Sequence, residues 1–237
     1  MNNNTNTKKI FISGGGDAKD SFLLDKEFIN SITGIKSILY IPTAMEVDLI
    51  GYEACYDWII NTLGAHSNEF INITMWTDLK EKTQKELNKF NAIYIGGGNT
   101  FRLLQQIYDS NFLPLLLKYI NRGGIVYGGS AGAIIMGKNI NIVQEENNKH
   151  YKYSKGLAMI GNYTIICHYK NDIDKKIINY IEQYNNPIIA LTEKTGLKIE
   201  NSQATVIGYE PATIFDLNKK KEIIKNNTHF NLYENQK

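Results

Sequence analysis

The sequence predicts an α/β protein: a three-layer α/β/α sandwich around a mostly parallel central sheet. Two observations support this class. Short β-branched or apolar runs alternate with longer stretches of helical period, and two glycine clusters directly follow strand-like runs. Such alternation is typical of parallel strands joined by crossover helices. Near the C-terminus the pattern changes to short strands broken by turn residues, which predicts antiparallel strands there.

The individual elements follow from the same periodicities. Strands are predicted over residues 9–13, 37–41, 70–74, 92–95, 124–127, 164–167 and 187–191. Apolar residues recur every three or four positions between them, which predicts helices over 18–32, 48–63, 78–89, 100–108, 111–121 and 172–184. The runs 196–200, 204–208 and 212–215 are predicted to form a meander at one sheet edge.

Length and composition limit the class of protein. The chain has 237 residues, 43% apolar and 21% charged, with a formal net charge of +2. We expect one domain over 1–237, with 1–8 and about 226–237 as loose ends. The small net charge argues against a nucleic-acid partner. A polar N-terminus and the lack of an apolar run of roughly 18 residues favour a cytoplasmic location without membrane contact.

The most informative motif is Gly128-Gly129-Ser130-Ala131-Gly132, which lies between a strand-like and a helix-like run. This G-x-S-x-G pattern is typical of a nucleophile elbow, where a tight turn exposes the serine hydroxyl. The alternative is a small-residue helix start that the serine merely caps. We interpret Ser130 as the nucleophile.

Glycine clusters follow the first and fourth predicted strands, at Gly14–Gly16 and Gly96–Gly98. Neither fits a dinucleotide-binding or phosphate-loop template, so a nucleotide cofactor is disfavoured. Cys55 and Cys167 are too few for a disulfide framework or a cysteine-based metal site. The sequence therefore predicts no metal and no organic cofactor. A glycine loop beside the elbow is suited to supply a backbone N–H to an oxyanion.

A serine nucleophile needs a base and an orienting carboxylate. Of four histidines, His168 is favoured because it ends an apolar strand and would emerge at the same carboxyl edge of the sheet as Ser130. The residues alone leave the acid open. The candidates are Glu145, Glu146, Asp172 and Asp174.

The paired motifs 96–101 and 128–133, with Asn121-Arg122-Gly123-Gly124 between them, resemble the aspartyl dipeptidase (dipeptidase E) family of serine peptidases, relatives of cyanophycinase. The resemblance implies a class I glutamine amidotransferase-like fold and a triad acting on small peptides. It assigns Ser130 as nucleophile, His168 as base and Glu145 as acid. It implies oxyanion donors at the backbone N–H groups of Gly98 and Ala131.

Two departures from that family bear on specificity. The family pattern has aspartate where this chain has Glu145, and arginine after the histidine where this chain has the lysine-containing segment 170–176. The expected substrate contacts are therefore Asn99, Lys170 and Lys176. Lysine lacks the bidentate fork of arginine, so we expect that a preference for an acidic N-terminal residue is not strict.

Other functions compete with a dipeptidase. An esterase or amidase of α/β-hydrolase type shares the chain order Ser, Glu, His, although 38 residues from serine to histidine is short for that fold. Glutamine amidotransfer is disfavoured because serine holds the elbow. A catalytically silent small-ligand-binding relative is the alternative from another class. The expected partner is a small peptide substrate, and the sequence leaves a homo-oligomer open.

Overall fold

The computed structural model describes residues 7–46, 50–66 and 70–233, apart from the side chains of residues 145 and 146. The mixed α/β class is confirmed. The strands are β1 Lys9–Ser13, β2 Lys36–Ile41, β3 Ile71–Met75, β4 Ala92–Ile95, β5 Ile125–Gly129, β6 Thr164–Ile166, β7 Ile188–Ala190, β8 Thr195–Glu200, β9 Gln203–Gly208, β10 Ala212–Phe215, β11 Lys221–Ile224 and β12 His229–Asn231. The helices are α1 Phe22–Ser31, α2 Tyr52–Gly64, α3 Gln84–Leu87, α4 Thr100–Asp109, α5 Leu113–Asn121, α6 Ala131–Ile134 and α7 Asp174–Tyr184.

An eight-stranded sheet has the order β12-β9-β8-β1-β5-β4-β2-β3. The pairs from β1 through β5, β4 and β2 to β3 are parallel, whereas β8, β9 and β12 are added antiparallel. The carboxyl ends of β1, β4 and β5 therefore lie side by side. Open α/β sheets bind their ligands at this edge.

Side chains alternate between the two faces of this sheet, as a pleated strand requires. One face packs with α1 and α2 through residues such as Phe11, Tyr94 and Tyr127. The opposite face packs with α4, α5 and α6 through residues such as Ile12 and Ile95. The sheet is thus covered by helices on both sides, which confirms the three-layer prediction.

A second sheet, of order β11-β10-β7-β6, shares the core on the α4–α6 side. The expectation that β6, β7 and β10 belong to the main sheet is wrong. The reason is that β8 pairs antiparallel with β1 along its full length, which leaves no free edge there. β6 instead pairs in parallel with β7, and β10 pairs antiparallel with β7.

Element boundaries differ from the sequence prediction at several places. The helix predicted over 78–89 is reduced to α3, which begins at a Thr83 capping box. The helix predicted over 48–63 begins at Tyr52, and residues 48 and 49 lie outside the described residues. In the tail expected to be loose, β12 pairs with β9. Within the described ranges, every helix is too short or too polar to cross a membrane.

Candidate active site

Ser130 forms a strained turn between β5 and α6. Its backbone has φ 48° and ψ −109°, outside the ordinary regions for an L-residue. The Ser130 N–H donates to the Ser13 carbonyl at 3.1 Å, and the Ser130 carbonyl accepts from Ala133 and Ile134. Backbone bonds on both sides of the residue therefore hold the strained conformation, as expected at a functional site.

The two outer glycines of the motif permit close backbone packing at this turn. A Cβ at Gly128 would lie 2.4 Å from the Gly132 carbonyl oxygen, and one at Gly132 would lie 2.3 Å from the Ile95 carbonyl oxygen. A side chain at Gly128 would push β5 away from the start of α6, and one at Gly132 would push α6 away from β4. The glycine spacing is thus explained by contact between backbones.

His168 lies within hydrogen-bond distance of Ser130. Its Nε2 atom is 2.9 Å from Ser130 Oγ. The His168 backbone N–H donates to the Gly14 carbonyl at 2.9 Å, so the end of β1 and the residue after it bind the backbone of Ser130 and of His168. The structure places these two residues side by side, although β6, which precedes His168, belongs to the second sheet.

The carboxylate that meets His168 is Glu193. Its Oε1 atom is 2.9 Å from His168 Nδ1, and it lies in the turn between β7 and β8. A carboxylate at Nδ1 favours the tautomer with the proton on Nδ1, which leaves the Nε2 lone pair free to accept from Ser130. Both side chains are about half exposed, at 48% for His168 and 51% for Glu193.

The acid assigned by resemblance, Glu145, lies in the 3₁₀ segment Asn141–Glu146. Its side chain and that of Glu146 are outside the described part of the structure. Asp174, an alternative, instead pairs with Lys221 at 2.9 Å. The sequence analysis did not select Glu193. One signal pointed to it: Glu193 is an acidic residue three positions after the buried strand β7, just as His168 lies two positions after β6.

The glycine loop after β4 approaches Ser130 from the other side. A Cβ at Gly97 would lie 3.3 Å from Ser130 Cβ. Gly98 has φ 130°, and a Cβ there would lie 2.5 Å from the Ala44 carbonyl oxygen. The Asn99 N–H donates to that same carbonyl at 2.9 Å. The loop is therefore held against the 42–45 segment with its backbone beside Ser130.

A cavity of about 180 Å³ opens at Ser130. Its lining residues are Ser13, Gly15, Gly16, Ser21, Trp58, Tyr94, Gly97, Gly98, Gly129, Ser130 and His168. Of the predicted substrate contacts, Asn99 caps α4 by accepting from the Arg102 N–H at 2.8 Å. Lys170 and Lys176 are exposed beyond His168 and are absent from this lining.

A buried polar network lies beneath the cavity. Asp25 accepts from the Tyr127 hydroxyl at 2.6 Å and from the Ser21 hydroxyl at 2.7 Å. Burial raises the pKa of Asp25 from 3.8 to about 6, and these two hydrogen bonds partly offset the rise. Tyr127 stacks on Tyr94, with ring centroids 4.4 Å apart. The floor of the cavity is therefore closely packed.

Comparison with known proteins identifies the family of this chain. A family model described as peptidase family S51 matches residues 10–207, which include Ser130, His168 and Glu193. The chain belongs to peptidase family S51. The dipeptidase E resemblance is thereby confirmed, and the chain is a serine-type peptidase. In the described residues, no group of three or more His, Cys, Asp or Glu side chains is placed to hold a metal ion.

Individual relatives show the extent of the likeness. The chain is 24% identical over 197 residues to a protein of Drosophila melanogaster named a probable alpha-aspartyl dipeptidase, with 76% of each chain covered. It is 32% identical over 178 residues to an uncharacterized peptidase of Listeria monocytogenes, covering 73% of this chain and 84% of the relative. The crystal structure of a peptidase from an acI-B1 actinobacterium has a TM-score of 0.72 at 18% identity, covering 96% and 98% of the two chains. This last likeness shows a shared fold.

Proposed function

We propose that this S51 peptidase hydrolyses short peptides through an acyl-enzyme, with Ser130 as nucleophile, His168 as base and Glu193 as acid. The observation that carries the proposal is the continuous pair of 2.9 Å contacts from Ser130 Oγ through the His168 ring to Glu193 Oε1. This order of groups is what a serine nucleophile needs near neutral pH.

Each residue then has a defined step. Ser130 Oγ attacks the peptide carbonyl while His168 Nε2 takes its proton, and Glu193 stabilises the imidazolium that forms. The backbone N–H groups of Gly98 and Ala131 are proposed to receive the oxyanion, since the β4 loop and the start of α6 flank Ser130. His168 then protonates the departing amine. Water attacks the acyl-enzyme by the reverse sequence of proton transfers.

The substrate is proposed to be a dipeptide or a similarly small amide. The cavity at Ser130 is small, at about 180 Å³, which favours a short peptide. Lys and Arg are absent from its lining among the described residues, so an aspartyl side chain would lose hydration without gaining a cationic partner there. We therefore expect Asp-Leu to be cleaved no better than Asn-Leu, Glu-Leu and Ala-Leu.

The experiment that tests the triad compares Ser130→Ala, Glu193→Gln and Glu145→Gln. Loss of the nucleophile should lower kcat by about 10⁴-fold or more, and loss of the acid by about 10²-fold or more. Glu145→Gln is the matched control, because it removes the same charge from the acid assigned by resemblance. If Glu145→Gln loses activity while Glu193→Gln keeps it, the assignment of Glu193 as the acid is wrong. A fluorophosphonate probe should label the wild type at Ser130, and absence of labelling in folded protein would favour a silent binding relative.

A further inference from the structure

A second cavity, of about 370 Å³, adjoins the one at Ser130. Its lining residues are Tyr40, Met45, Ile50, Ala54, Cys55, Trp58 and Gly97. Trp58 and Gly97 line both cavities, and a Cβ at Gly97 would lie 3.3 Å from Ser130 Cβ. A group held in the second cavity would therefore lie next to a bond positioned at the nucleophile.

Much of the wall of this second cavity is formed by side chains of helix α2 and strand β2. Ala54, Cys55 and Trp58 project from one side of α2, as the helical spacing i, i+1 and i+4 dictates. Tyr40 projects from β2, and its ring packs edge to face on Tyr94 with centroids 5.8 Å apart. Trp58 packs on the same Tyr94 ring at 6.1 Å. The aromatic wall is thus preorganised, which lowers the entropy cost of binding a ligand.

The chemistry of the walls selects an uncharged, apolar occupant. Among the described lining residues there is no Lys, Arg, Asp or Glu. Burial raises the pKa of the Cys55 thiol, so that group stays neutral. An ionised side chain placed here would lose its hydration without compensation, whereas a branched aliphatic side chain would gain by leaving water.

We propose that this cavity is a specificity subsite for an apolar side chain, of leucine or similar size, on one of the two residues flanking the scissile bond. The proposal rests on the proposed function, because it takes Ser130 as the point of cleavage. Full burial of leucine in place of alanine adds about three carbons, worth up to roughly 50-fold in affinity or in kcat/KM. Since the cavity is partly open, we expect a preference of about tenfold or more.

The test measures kcat/KM for Leu-Ala, Ala-Leu and Ala-Ala with wild type, Ala54→Leu and Asp57→Ala. Ala54 is exposed on α2, so a leucine fills the cavity without entering the core. Asp57 is exposed on the same helix but outside the lining, and serves as the control. Leucine should be preferred at one position in wild type and in Asp57→Ala, and the preference should vanish in Ala54→Leu. Equal rates for all three peptides, or a preference unchanged in Ala54→Leu, overturns the subsite.

A binding measurement separates this subsite from the proposed catalysis. Calorimetry with Ser130→Ala compares the affinities of the same three dipeptides without turnover. Tighter binding of one leucine peptide, abolished by adding Ala54→Leu, supports the subsite even if the wild type hydrolyses none of them. Equal affinities overturn it even if the wild type is an active peptidase.

Discussion

Gly15 is the residue whose replacement should most sharply separate activity from folding. Its φ is 107°, and an alanine Cβ would lie 2.2 Å from His168 Cε1 and 2.7 Å from Nε2. Ordinary van der Waals contact begins near 3.4 Å, so the ring must move by roughly 1 Å, a misplacement that costs on the order of 10²-fold in rate. Because His168 is about half exposed, the ring can move toward solvent and the fold should survive.

The matched control is Gly34→Ala. Gly34 also has a positive φ, of 70°, but nothing lies within 4 Å of an added Cβ. Alanine in left-handed backbone costs about 1 to 2 kcal/mol, which is the loss expected for Gly34→Ala, and Gly15→Ala should lose at least as much thermal stability because its φ is further from that region. Only Gly15→Ala should lose about 100-fold in kcat/KM on a dipeptide that the wild type cleaves.

Two results would refute this reasoning. If Gly15→Ala keeps activity within about threefold of wild type, the position of His168 does not depend on Gly15. If Gly34→Ala loses as much activity as Gly15→Ala, the loss follows from destabilisation rather than from the imidazole.

Two further predictions concern the oxyanion loop and the buried carboxyl. Gly98→Ala should lower kcat by about 10²-fold or more with little change in KM, because its Cβ would displace the loop from Ala44. If steady-state assays show an unchanged kcat, this loop does not donate a hydrogen bond to the oxyanion. Asp25 has a pKa raised to about 6, so it keeps its proton in the folded state as pH rises from about 4, and the wild type should lose about 2 kcal/mol of unfolding free energy relative to Asp25→Asn between pH 4 and pH 7. Urea unfolding across that range checks the sign, and parallel pH profiles would show that Asp25 does not titrate this way. His66 lies 3.8 Å from Asp25, and burial lowers its pKa, which opposes the trend, so the comparison is repeated in a His66→Gln background.

Strand positions and the elbow were predictable because both depend on local pattern. β1 and β4 have the predicted bounds, and Ser130 and His168 meet as expected. Glu193 and Gly15 were not recognised as site residues, because their roles depend on which strands are neighbours. Glu193 reaches His168 only because β7 pairs with β6, and Gly15 contacts it only because the β1 loop passes beneath the ring. Periodicity identifies strands but does not determine their order in a sheet.

The proposed nucleophile and base follow strands of different sheets, and this division affects how the activity of variants is interpreted. Ser130 follows a strand of the eight-stranded sheet, whereas His168 and Glu193 follow strands of the four-stranded sheet. The 2.9 Å distance between Ser130 Oγ and His168 Nε2 therefore depends on how the two sheets pack against each other. A buried substitution in β10 or α7 that tilts the smaller sheet slightly would lengthen this distance and lower activity. The conformation of the Ser130 turn would stay the same. In this molecule, inactivity of a folded variant does not by itself place the altered residue near the substrate.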